Sequence, residues 1–355
     1  MPKVHFQTIA EQVAEFLEQE LLKRRWTGLM PGKNELAGEL GVNNKTVEVA
    51  LRQLENKGVL INQGAGKRRK IKSMRGNKNT TSLRVALFLL DEMDRSDYYM
   101  IELQHAIEEA GHVPFFPDQT SNSFGESTTQ LSRYVKKTEA DAWIIVAGSR
   151  PVLEWFAGQD VPAFALFGRR RNVSIASTGP EKLSAMSTAT ERLLDLGHRR
   201  ISLLCREQRR VPSPGDSERT FLASLEKAGI STSRFNLPDW EENREGFMSM
   251  LDSLFGTTPP TALIVDEAFL FNASFYYLAH RGLRVPQDVS LVCTDSDPHF
   301  AWCRPSVAHI RWHYPDVIRH TIRWLKNVAS GKDHRRQMWT KAEFIEAETI
   351  GPARS

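Results

Sequence analysis

From Leu83 onward, short apolar runs alternate with helical patterns, and this alternation restricts the possible folds more than any other feature. Apolar residues 84–90 precede a helical pattern at 100–110, residues 113–116 precede 130–136, and residues 142–146 precede 152–156. A second series begins near Arg200, with runs at 201–205, 262–265 and 290–294 and helical stretches at 219–228 and 269–280. Parallel strands can be joined only by crossovers, usually helices, so the pattern predicts a parallel sheet covered on both faces. Two such series predict an α/β fold of two lobes with parallel sheets, with ligands meeting the carboxyl ends of strands in the cleft between them.

A chain of 355 residues is long for one core and points to two or three domains. Apolar stretches such as 85–90 and 143–147 fall far short of the ~20 residues that a membrane-spanning helix needs. The opening Met1-Pro2-Lys3-Val4-His5 lacks the apolar core of a secretory signal, so a cytoplasmic protein with no membrane partner is expected. Cys205, Cys293 and Cys303 lie far apart without metal or redox spacing and read as free thiols in a reducing compartment.

Charge is unevenly divided. Residues 1–82 hold fifteen Lys and Arg against eight Asp and Glu, whereas residues 83–355 hold 32 against 35. A small basic domain ahead of a faintly acidic one is the footprint of a polyanionic partner. Residues 64–82 contain Lys67, Arg68, Arg69, Lys70, Lys72, Arg75 and Lys78 and no acid. Residues 73–82 are polar and without periodicity, and read as a linker between domains at 1–72 and 83–355.

Within the head, Ile9, Val13, Phe16, Leu17 and Leu21 predict one face of a first helix. A short second helix carries Leu36, Ala37 and Leu40 inward and ends at Gly41; Val42 packs in the turn. Asn43 or Asn44 then caps a third helix with Val47, Ala50, Leu51 and Leu54 on one face, stopped by Gly58. Residues 59–61 and 70–72 flank Gly64-Ala65-Gly66 as a two-stranded wing. Two short helices about a glycine-containing turn form a helix-turn-helix, whose second helix presents its first residues to base edges. Those residues are Asn43, Asn44, Lys45, Thr46 and Glu48. Asparagine can pair with adenine, and lysine can reach guanine or phosphate.

The run from Met30 to Val47, followed by Ala50-Leu51-Arg52-Gln53-Leu54-Glu55-Asn56-Lys57-Gly58-Val59-Leu60 and the glycine-tipped wing, resembles the GntR-type winged helix-turn-helix. The resemblance implies binding to double-stranded operator DNA through Lys33, Asn34, Asn43, Asn44, Lys45, Thr46, Glu48, Arg52, Gly64, Gly66, Lys67 and Arg68. Arginine is usual in that family where this chain has Asn34, Asn44 and Glu48, which implies a divergent operator read more by Lys45, Arg52 and the wing. Glu48 there would repel phosphate or accept a bond from cytosine.

The segment Leu193-Leu194-Asp195-Leu196-Gly197-His198-Arg199-Arg200-Ile201-Ser202-Leu203-Leu204 resembles the stretch leading into the second subdomain of LacI/GalR regulators. Residues 282–295, ending at Asp295, are similar to that family's helix-loop-strand with a ligand-binding aspartate. The resemblance implies a periplasmic-binding-protein-like core, a homodimer on a palindromic site, and a small-molecule effector of carbohydrate type. Carried over by position, the effector residues are Asp91, Tyr98, Tyr99, Arg219, Asp266, Glu267 and Asp295. The family's cleft arginine falls on Ser217, with Arg219 two residues away, and its Asn-Asp pair falls on Glu267-Ala268. The hinge-facing aspartate aligns with Glu181. These departures leave room for a regulator whose sensor serves only to dimerise.

Enzyme chemistry is not expected. Gly64-Ala65-Gly66-Lys67 lacks the first glycine and the hydroxyl residue of a phosphate loop, where Ile61 and Arg68 stand. No nucleophile elbow, zinc-protease helix or Cys/His zinc spacing occurs, and no cofactor is implied. His309 and His313 are four apart, but Ile310 and Trp312 suggest a strand there. His198 reads as a local cap before a strand.

Overall fold

The computed structural model describes residues 8–22, 25–26, 28–64, 66–72, 82–125, 127–332 and 335–354. The opening pentapeptide, Ala65, and residues 73–81 of the expected linker, with Arg75 and Lys78, lie outside the described residues.

The head is built from α1 (Ile9–Leu22), α2 (Lys33–Leu40), α3 (Asn44–Asn56), β1 (Leu60–Ile61) and β2 (Lys70–Ile71). Val13, Leu17, Leu21, Leu36, Val47, Leu51, Leu54 and Leu60 close into one core. The first helix corrects one expectation: Ile9 and Phe16 are exposed, and Ala14 packs inward instead. At 100° per residue the buried stripe centres between positions 13 and 14, which leaves 9 and 16 at its edge. Gly41 ends α2 at φ 64°, a conformation costly for a residue with a Cβ. Asn43 caps α3, its Oδ1 accepting the Thr46 amide at 2.8 Å. β1 and β2 pair antiparallel, and Leu29 bridges to Lys70 on the far side of β2.

The larger part begins with β3 (Arg84–Phe88), α4 (Tyr98–Glu109), β4 (Val113–Phe115), α5 (Thr128–Lys137), β5 (Ala142–Val146) and α6 (Arg150–Ala157). Next come β6 (Ala163–Leu166), β7 (Ala176–Glu181), α7 (Leu183–Asp195), β8 (Ile201–Leu204), α8 (Glu207–Arg210) and α9 (Asp216–Lys227). The chain continues through α10 (Arg244–Thr257), β9 (Ala262–Val265), α11 (Ala268–His280) and β10 (Ser290–Cys293). It ends with β11 (Ala308–Trp312), α12 (Tyr314–Ala329) and β12 (Gln337–Ile345). The strands lie in the order β4-β3-β5-β6-β7-β12-β11-β10-β9-β8. Strands β5, β8, β9 and β10 are buried on both faces, as covered parallel sheets require.

The sheets are parallel as expected, with one antiparallel pairing. Residues 337–341 of β12 run parallel to β7, and residues 342–345 run antiparallel to β11. One strand thus belongs to both lobes. The chain passes between lobes at two further places. Ala176 of β7 packs in the first lobe and Ala185 of α7 in the second; Ile310 of β11 packs in the second and Val317 of α12 in the first. Strands β6, β7 and β12 and helices α7, α10 and α12 were not anticipated. In β7, Gly179 and Pro180 hide the strand from any propensity argument.

His198 departs from the local role expected of it. Its Nε2–H donates to the Gly351 carbonyl at 2.9 Å, leaving Nδ1 to accept from the Thr261 hydroxyl at 3.0 Å. It therefore ties the chain's last turn to the second lobe. Burial lowers the pKa of His198, and likewise those of His112, His309 and His320. A folded-state value below the unfolded one favours the native state above pH ~6.5 and withdraws that stability as pH falls toward the folded value. We expect the His198 imidazole to titrate below 6.5 in an NMR pH series, and the unfolding temperature to drop over the same range. A His198 midpoint at or above that of free imidazole would contradict this.

Candidate DNA-reading head and effector cleft

Helix α3 buries Val47, Ala50, Leu51 and Leu54, so its remaining side chains must face outward. Asn44, Lys45, Val49 and Arg52 are exposed there, and Thr46 is half-buried. Asn43 has committed its side-chain oxygen to the cap, which leaves its amide nitrogen for a base edge. Lys33 and Asn34 lie exposed in the first turn of α2. Gly64 and Gly66 take positive φ at the wing tip, where Lys67 and Arg68 are exposed and Arg68 reaches Glu35 at 3.3 Å. Val49 was missed in the sequence because an apolar residue on a polar face carries no periodic signal. Its methyls have the chemistry to meet a thymine methyl.

Glu48 does not project freely as expected. Its carboxylate accepts Arg69 Nη2 at 2.9 Å and lies 3.4 Å from Arg52 Nε. The Arg69 hydrogen bond holds its pKa below the usual range. Arg69 also donates through Nε to Glu55, so one guanidinium pins the wing to α3. Arg69 is thereby a structural group and is withdrawn from the set of wing cations.

In the larger domain, the strand ends gather most of the expected effector residues about the cleft. Asp91 follows β3 and caps a 3-10 turn, accepting the Met93 amide at 3.0 Å, while Asp94 accepts the Asp91 amide at 3.0 Å. Tyr98 is exposed and meets Tyr314 edge-on at 5.3 Å. Tyr99 packs edge-on against Phe167 at 5.2 Å and Trp312 at 5.7 Å, and burial beside Asp97 raises its phenol pKa well above the ordinary value. Asp266 follows β9 and accepts the Thr294 hydroxyl at 2.6 Å. Burial opposes its ionisation, but Arg209 at 3.6 Å and Lys182 hold its pKa below the usual range. Glu267 accepts Arg206 Nε at 2.9 Å; burial raises its pKa to about 8 against the pull of that arginine. Asp295 accepts the Trp312 indole N–H and lies 3.6 Å from Lys182.

Arg219 is not brought to this group. It is exposed and folds back on Pro214 and Asp216 at the start of its own helix. The guanidiniums beside the cleft acids are Arg206 and Arg209, one and four residues past the β8 run of 201–205. Sequence reading missed both, although the rule that strand ends line the cleft would have marked Arg206. Backbone strain concentrates at the same rim. Ala147, Phe167 and Glu267 adopt φ 51°, 64° and 60° just past β5, β6 and β9. A Cβ on Gly168 would meet the Gly148 carbonyl oxygen and amide, so these two loops touch backbone to backbone. Among the described residues no group of His, Cys, Asp and Glu could hold a metal ion, and no helix is long and apolar enough to cross a membrane.

Removing Arg69 would leave the Glu48 and Glu55 carboxylates facing each other. Arg69→Ala should therefore cost the head about 1–3 kcal/mol in chemical denaturation, below the roughly 3–5 of a fully buried pair because these side chains stay partly wetted. Arg68→Ala, at the exposed tip, should cost under about 0.5 kcal/mol. Equal losses would refute the clamp.

Residues 9–67 match the model of bacterial regulatory proteins of the gntR family, and residues 190–346 match that of a periplasmic binding protein-like domain. An HTH-type transcriptional regulator, reg1 of Streptomyces lividans, is 25% identical over 246 residues, covering 64% of this chain and 68% of that protein. The fold is similar to that of the transcriptional regulator CelR in its cellobiose complex, with a TM-score of 0.62, 17% identity, and coverage of 90% of this chain and 100% of that one. It is also similar to a LacI family regulator from Enterococcus faecium with bound ribose, with a TM-score of 0.59, 16% identity, and coverage of 76% and 100%. This chain joins a winged helix-turn-helix that matches the gntR family model to a domain that matches the periplasmic binding protein-like model, the make-up of a DNA-binding transcriptional regulator.

Proposed function

We propose that the regulator is a cytoplasmic homodimeric repressor without enzymatic activity, divided into a head (1–72), a linker (73–82) and a sensor (83–355). Its two α3 helices read the half-sites of a palindromic operator, and its cleft takes a carbohydrate effector. The observation that carries the DNA reading is the outward face of α3, where Asn44, Lys45 and Arg52 stand exposed beside a glycine-tipped basic wing. Lysine and arginine there meet phosphate or guanine, and asparagine meets adenine. Strand-end carboxylates beside aromatic faces suit the hydroxyls and C–H faces of a sugar, the ligand class in the cellobiose and ribose complexes of similar folds. Effector binding between the lobes would change operator affinity through a coupling of typically about 1–3 kcal/mol.

A second reading has support of its own. Asp91, Asp266 and Glu267 already face the chain's own arginines, which suits a sensor kept only for dimerisation.

Two measurements separate these readings. Fluorescence anisotropy on a palindromic-site library should show sequence-selective binding that weakens with salt, and Lys45→Ala should reduce the log–log salt slope by about 1. Absence of any salt-sensitive binding would reject the DNA reading. Thermal-shift titration with cellobiose, ribose and related sugars should show a saturable rise that Asp295→Ala abolishes. A sensor that ignores every sugar while the head still binds DNA would favour the dimerisation reading.

A further inference from the structure

We infer that Arg206 and Arg169 form a two-way clasp that draws the sensor lobes together through the chain's own charges. Arg206 stands at the end of β8 in the second lobe and is 6% exposed at its side chain. Its Nε is fixed on its own lobe by Glu267 at 2.9 Å, and its guanidinium lies 5.2 Å from the Phe269 ring centroid. Nη1 and Nη2 reach the other lobe, each 3.9 Å from a carboxylate oxygen, of Asp91 and Asp94 respectively. Asp94 is held by the Asp91 amide, so the acceptor side is also positioned.

The reciprocal contact starts from the first lobe. Arg169, past β6, donates through Nε to the Gln208 carbonyl at 2.5 Å and through Nη2 to the Ser213 carbonyl at 2.6 Å, both in the second lobe. Arg171 adds an exposed bridge to Asp216 at 2.7 Å. Each lobe therefore sends an arginine into the other.

Without Arg206, the Asp91 and Asp94 carboxylates would face the second lobe with their central cation missing, which leaves partly desolvated charge unpaired. Arg206 thus has a role distinct from packing: it makes the closed arrangement electrostatically admissible. An effector entering this cleft acts on lobes that are already paired. The clasp lies within the sensor and stands or falls apart from the identity of the effector or operator.

The test is the inter-lobe distance in the full-length protein, read by double electron–electron resonance. Spin labels would be placed at Glu109→Cys in the first lobe and Lys227→Cys in the second, both exposed, in a Cys303→Ser background. The clasp requires Arg206→Ala and Asp94→Asn each to shift the distribution to longer distances. Their combination should add little to Arg206→Ala alone, since the Asp94 contact is already lost with Arg206. Arg281→Ala, which breaks an exposed pair with Asp252 within one lobe, should leave the distribution unchanged. If Arg206→Ala does not fold, Asp94→Asn and Arg169→Ala carry the same expectation from the opposite lobe. Folded variants that keep the wild-type distribution, or an equal shift from Arg281→Ala, would overturn the clasp.

Discussion

Strand β12 holds hydrogen bonds to both halves of the sensor, and the mechanics of the domain depend on that single shared strand. Its first half continues the parallel sheet of the first lobe beside β7, and its second half turns antiparallel to β11 in the second. A strand in two sheets cannot detach from either without losing ladder bonds, so the lobes can rotate but cannot separate. The other passages, from β7 into α7 and from β11 into α12, lie beside it and make the hinge narrow. Everything that lines the cleft is carried by loops at the strand ends above this hinge.

Those loops bear both strain and charge. Left-handed backbone at Ala147, Phe167 and Glu267 persists only where surrounding packing over-determines it. For Ala147 and Phe167 that packing comes from the first-lobe core, where Tyr99, Phe167 and Trp312 meet edge-on. Carboxylates from both lobes converge nearby, and cations keep them in place: buried Arg206 between Asp91, Asp94 and Glu267, and half-buried Arg209 against Asp266 and Glu218. A cleft organised in this way is preorganised by its own ion pairs, and any ligand competes with or adds to them.

The head follows similar logic at a smaller scale. An acid at position 48 looks hostile to DNA when read along the sequence, but in space it is neutralised by Arg69, which also holds Glu55. The wing is anchored by charge as well as by its short ladder. Exposed cations remain on the outward turn of α3, in the first turn of α2 and at the wing tip.

The sequence alone determined the helix-turn-helix, the wing, most strands and their helices, because periodicity and glycine turns act over a few residues. Asp91, Tyr98, Tyr99, Asp266, Glu267 and Asp295 are singled out by the family resemblance and not by periodicity, and the fold brings them to neighbouring loops and helix starts. The sequence did not reveal β7, whose Gly179 and Pro180 lack strand character, or the double membership of β12, because that depends on partners far apart in the chain. Tertiary structure alone decided which charges pair. Arg219 turned back on its own helix while Arg206 crossed to the other lobe, and Glu48 met Arg69 across 21 positions. Pairing energy depends on distance and burial, and neither can be read from spacing along a chain.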